Sequence, residues 1–134
     1  MKIFIAGLAL VVAACTLPPV APQAGNSNVA VRLGTERVSA DVIRLTLDNG
    51  ASTPVGYNLC TSTLQRRTGS EWIAVPSEDV CTMQLHSLNP GRDATFEKRL
   101  PSGLPSGEYR YVTSVENPMG TAQTAIATEP FPIR

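Results

Sequence analysis

From Asn28 onward, apolar residues recur mostly at every second position, the spacing of strands with one buried face. In NVAVRL, Val29, Val31 and Leu33 share a face. In DVIRLTLDN, Ile43, Leu45 and Leu47 lie on one face and Arg44, Thr46 and Asp48 on the other. Asn49-Gly50, with Pro54 soon after, ends that strand. VGYNLCTSTLQRR reads as one further strand, led by Val55, Tyr57 and Leu59. TGS turns the chain, EWIAV returns it with Trp72 and Val75, and Pro76 stops it. VCTMQLHSL is a weaker strand. After a turn at Asn89 to Gly91 comes DATFEKRL, where Ala94, Phe96 and Lys98 alternate with Thr95, Glu97 and Arg99. LPSGLPSGE is a turn region, and YRYVTSVEN and AQTAIATEPFPI form a last pair around NPMG. Nothing after residue 28 has the spacing of an amphipathic helix, although SEDV has room for one short turn. Roughly seven or eight short strands divided by turns predict an all-β sandwich. Ile43, Leu45, Leu47, Trp72, Phe96 and Tyr109 are expected in or near its core.

The first residues follow a different pattern. Met1 and Lys2 precede an uncharged run, Ile3 to Ala14, that is apolar apart from Gly7. It is too short to span a bilayer but suits the apolar part of a secretion signal. The run closes on small residues and a cysteine. VAAC, ending at Cys15, resembles the lipobox of bacterial lipoproteins, in which the cysteine is lipid-modified and becomes the first mature residue. An ordinary signal peptide with an incidental cysteine is the alternative. Each buried methylene contributes ~0.8 kcal/mol, and one acyl chain anchors only marginally. The resemblance implies two or three chains on Cys15, enough for a stable anchor. It also implies outer-membrane attachment, facing the periplasm, in a host with two membranes. Thr16 follows the cysteine, where the inner-membrane retention signal usually has Asp.

TLPPVAPQAGNSN carries no charge and no periodicity, and reads as a tether. About 13 residues at ~3.1 Å each would reach roughly 40 Å. The expected organisation is therefore a signal peptide over 1–14, a lipidated cysteine and flexible tether over 15–27, and one folded domain over 28–134. A chain of 134 residues is long enough for that one domain to have a real core.

Within the domain, the order VIRLTLDN, VGYNLC, EWIAV, LNPGRDATF, LPSGEYRY resembles the bacterial immunoglobulin-like domains of envelope proteins, over roughly Val29 to Ile133. The most specific parts are the single Trp after a Gly-containing turn, L-x-P-G before the next strand, and G-E-Y-R opening a late strand. The resemblance implies an immunoglobulin-like sandwich and no catalytic residues. It offers Tyr109 as a tyrosine corner, its hydroxyl bonded back to the backbone; a core tyrosine with a solvent-facing hydroxyl is the other reading. Cys60 and Cys81 do not stand at antibody-type positions.

Three cysteines are an odd number. If Cys15 carries lipid, Cys60 and Cys81 remain as a pair in an oxidising compartment. A disulfide between them would close a loop of about 22 residues and contribute on the order of 3 kcal/mol. Free thiols or a metal site are the alternatives.

Charge and chemistry narrow the function. Lys plus Arg is 11 and Asp plus Glu is 11. Removing residues 1–14 takes Lys2 with it and leaves ten basic against eleven acidic side chains. Such a chain has no electrostatic footprint for nucleic acid and no polybasic stretch for an anionic membrane surface. The one histidine, His86, has no nucleophile elbow to serve and reads as a surface residue of an edge strand. Glu78 and Asp79 read as a solvated pair on a loop. No phosphate-cradling glycine loop is present, and no cofactor is expected. The expected function is a non-catalytic, membrane-anchored envelope module that binds or supports a protein or glycan partner. One alternative is a periplasmic protease inhibitor presenting NPMG, Asn117 to Gly120. A weaker one is a copper carrier using Met83 and His86 near Cys81, since thioether and imidazole suit copper.

Overall fold

The computed structural model describes Gln23–Ala24 and residues 30–134. Cys15 and the expected signal peptide lie outside the described residues, as does Val29. The tether does too, apart from Gln23–Ala24.

The strands are β1 (Gln23–Ala24), β2 (Val31–Arg37), β3 (Val42–Asn49), β4 (Val55–Tyr57), β5 (Thr63–Thr68), β6 (Glu71–Ala74), β7 (His86–Leu88), β8 (Asp93–Arg99), β9 (Gly107–Glu116), β10 (Gln123–Ala127) and β11 (Phe131–Ile133). They form two sheets. In the smaller, β3 lies between β2 and β8, antiparallel to both. The larger is organised around β9. One side of β9 pairs with β5 and then β4, which extend it to β6 and β7; the other pairs with β11 and then β10. β1 lies parallel to β10. Two sheets of alternating strands close over one core, the sandwich expected from the period-two pattern.

β3 shows why the pattern works. Ile43, Leu45 and Leu47 are buried, while Arg44, Thr46 and Asp48 face the other way. On that outer face Arg44 bonds to both Glu36 (3.1 Å) and Glu97 (2.9 Å) on the flanking strands. β9 supplies the opposite wall with Tyr109, Tyr111 and Val115, joined by Val55, Leu64, Leu88 and Ile126. At full burial such aliphatic side chains each contribute about 1.5–3 kcal/mol.

Two expected strands are each divided. VGYNLCTSTLQRR breaks into β4 and β5 around a 3₁₀ turn, Leu59–Thr61, which keeps Leu59 buried while changing the chain's direction. AQTAIATEPFPI breaks into β10 and β11. Across that break Thr128 repairs the ladder, its Oγ1 accepting from Tyr111 N (3.0 Å) and its N donating to Tyr111 O (2.9 Å). The weak strand VCTMQLHSL survives only as β7, and the segment from Pro76 to Leu85, SEDV included, forms no strand or helix.

Two of the residues expected in or near the core are not in it. Trp72 sits opposite Arg67 on the outer face of the larger sheet, where the Arg110 guanidinium stacks 4.4 Å from its ring centroid. Phe96 has the expected inward register but is 37% exposed, because no strand pairs with the far side of β8 among the described residues.

The end of the sandwich near Asn49 is stitched by polar contacts. Asn49 is fully buried; its Nδ2 donates to Thr53 O (3.0 Å) and Leu88 O (2.9 Å), and its Oδ1 accepts from Ala51 N (2.9 Å). The next residue must be small: a Cβ on Gly50 would lie 2.7 Å from Ala30 O. The Asn-Gly pair read as a turn is thus also a joint between sheets.

Candidate functional site

The chemistry of the domain concentrates along the margin where β7 and β8 end the two sheets. The 3₁₀ turn carries Cys60 to this margin. Pro76 interrupts the chain after β6, and the following segment brings Cys81 beside it. The two form a disulfide with Cα atoms 5.8 Å apart, within the usual range. The bond joins a turn to an irregular segment rather than two neighbouring strands. Asn58 Nδ2 adds a second tie, donating to Thr82 O (2.7 Å).

Beneath this clasp lies Lys98. Its place on the Ala94–Phe96 face of β8 turns it inward, and only 4% of its surface is exposed. Its Nζ donates to Cys60 O (2.7 Å) and pairs with the Asp79 carboxylate. A buried ammonium needs such partners because desolvation otherwise opposes its charge. The Lys98 hydrogen bond, helped by Ser77, holds the Asp79 carboxyl below the usual carboxylate range. Asp79 is therefore not merely solvated beside Glu78; it is the counter-ion of a buried cation. Tyr111 closes the inner side. Burial, then the nearby Asp79 charge, push its hydroxyl well above the usual phenol pKa. The buried Ser62 Oγ has no hydrogen-bond partner among the described residues.

Two clefts flank the disulfide. One, of about 350 Å³, is lined by Ser62, Ser77, Asp79, Lys98 and both cysteines. The other, of about 480 Å³, is lined by Tyr57, His86, Val80, Phe96 and the same cysteines. His86 lies on the edge strand as expected, exposed, its ring 5.6 Å from that of Tyr57. Cys81 spends its sulfur in the disulfide, and Met83 is 88% exposed, so the grouping weighed for copper loses its thiolate. Among the described residues, no three or more His, Cys, Asp and Glu side chains are grouped to hold a metal ion.

Sequence reasoning brought Cys60 and Cys81 together but passed over Lys98. A signal was available: Lys2 and Lys98 are the only lysines in the chain, and Lys98 falls on an apolar face. A charged residue on a face that is otherwise apolar must find partners if that face is buried.

Tyr109 resolves in favour of the corner. Its hydroxyl donates to Pro105 O at 2.6 Å, binding the turn region before β9 to the core. The Asn117–Gly120 turn is exposed and held by Gly120 N to Glu116 (2.8 Å) and Met119 N to Pro54 O (2.9 Å).

No curated protein matches the chain. The family described as Bacterial Ig-like domain matches residues 25–129. That match takes in β2 to β10, the disulfide and the Tyr109 corner, and the chain belongs to the bacterial Ig-like domain family.

Proposed function

We infer that this protein is a lipid-anchored envelope protein whose Ig-like domain is a non-catalytic binding or structural module. The observation that carries the anchor is VAAC: an apolar run that stops at Cys15 after two small residues, followed by an uncharged linking segment and then a folded domain. The Cys60–Cys81 disulfide supports export, because such bonds persist in oxidising compartments. Membership of an Ig-like family supports a module that presents surfaces rather than a reacting site. The partner is a protein or glycan of the envelope, and Thr16 favours the outer membrane in a host with two.

Changing Cys15→Ser tests the anchor. The variant should lose fatty-acid labelling and leave the membrane fraction; unchanged labelling and attachment would overturn the assignment. Crosslinking in intact cells, followed by identification of the attached molecule, tests the binding role.

A further inference from the structure

We propose that Pro76 to Leu85 is a disulfide-held cover over Lys98, and that thiol–disulfide exchange at Cys60–Cys81 decides whether the Lys98 ammonium is accessible from solution. Both acceptors of Nζ are mounted on the parts that the bond joins. Cys60 supplies a carbonyl oxygen at 2.7 Å, and Asp79, two residues before Cys81, supplies the carboxylate. The covering segment has no strand or helix of its own. Its other ties are few: the Asn58–Thr82 hydrogen bond, the Asp79–Lys98 pair itself, and at its end the half-buried Leu85 over Gly56. A segment with so few backbone bonds and so little packing opens at low cost once its covalent tie is cut.

The bond is reachable, since both cysteines line both flanking clefts. A dithiol reductant, a small molecule or a protein dithiol, is the required co-reactant. One of its thiolates attacks one cysteine sulfur, the Cys60–Cys81 bond breaks, and the other cysteine leaves as a thiolate and takes a proton. The second thiol of the reductant then attacks the mixed disulfide. Cys60 and Cys81 finish as thiols and the reductant as a disulfide, a two-electron exchange.

Reduction frees Asp79 and the Cys60 carbonyl to separate, and the four-carbon stem of Lys98 can carry its ammonium outward. The rest of the sandwich has reason to stay folded. β8 remains paired with β3 along its whole length, from Val42–Arg99 to Asp48–Asp93. Lys98 lies in the same register as the partly exposed Phe96, at the margin rather than at the centre of the core. The proposal goes beyond the anchored-module reading and does not depend on the lipid.

The test uses the full chain, oxidised or treated with dithiothreitol, and acylated with N-hydroxysulfosuccinimide acetate. Peptide mass spectrometry reads modification at Lys98, and amide exchange at Leu45 and Tyr111 monitors the core. Reduction should raise Lys98 acylation by about tenfold or more while Leu45 and Tyr111 stay protected. Cys60→Ser combined with Cys81→Ser should reproduce this without reductant. Acylation that stays within about twofold between the two states would overturn the cover. So would loss of protection at Leu45 and Tyr111 in step with acylation, which would mean global unfolding rather than a local opening.

Discussion

Leu45 and Phe96 are direct partners across the β3–β8 ladder, on the same face, yet Leu45 has no exposed surface and Phe96 is 37% exposed. The difference comes from their strands' neighbours. β3 has a partner on each side, and the wall formed by Tyr109, Tyr111 and Val115 stands opposite. Among the described residues β8 has a strand on one side only, and beyond it the chain supplies an irregular segment instead. At the centre, apolar burial is sufficient. At the margin Lys98 of β8 reaches across to the Cys60 carbonyl and Asp79, and the disulfide ties together the two connecting segments that carry those partners.

Substitutions across this divide should separate the two modes. Leu45→Ala removes a side chain that nothing can replace and should cost about 3 kcal/mol in chemical denaturation; a loss below about 1 kcal/mol would show that the centre is not close-packed. Asn49→Ala leaves the carbonyls of Leu88 and Thr53 and the Ala51 amide without their side-chain partner. It should cost about 2 kcal/mol by the same measurement. Trp72→Ala should cost about 1 kcal/mol, chiefly its contact with Arg110, rather than the roughly 3–5 kcal/mol of a core tryptophan. A larger loss would move Trp72 into the supporting structure of the sheet.

The smallest effect should be that of Asp79→Asn, and pH identifies it. The folded carboxyl titrates below its ordinary value of 3.8. Its contribution is therefore present above that value and is lost as pH falls through the lower folded one. Near neutral pH the variant should be less stable by under about 1 kcal/mol, since Asp79 is partly exposed and its charge screened. The gap should close in acid. A gap that persists or widens there would show that Asp79 does not act through its charge.

How far the sequence disclosed this follows the same divide. β3 was legible because alternation and two-sided pairing coincide there. Phe96 lies near the core rather than in it, because alternation reports which face a residue takes, not whether that face is covered. Trp72 was misjudged for the converse reason: its apolar character suggested the inner face, but β6 pairs it with Arg67 on the outer one. The break at Leu59 was hidden because Val55, Tyr57 and Leu59 keep period two through the point where the chain turns. The disulfide could be inferred by counting cysteines. The Lys98–Asp79 pair could not, because 19 residues separate its members and only the folded margin brings them together.

The two-residue strand β1 carries a consequence for orientation. It runs parallel to β10, with Gln23 beside Ile126 and Ala24 beside Ala127. β10 begins just after the Asn117–Gly120 turn, so β1, lying beside its far end, points away from that turn. A lipid on Cys15 would leave seven residues between anchor and β1, a leash of at most about 25 Å rather than roughly 40 Å. So short a leash would keep the end of β10 that β1 pairs with, Ile126 and Ala127, within about 25 Å of the anchor.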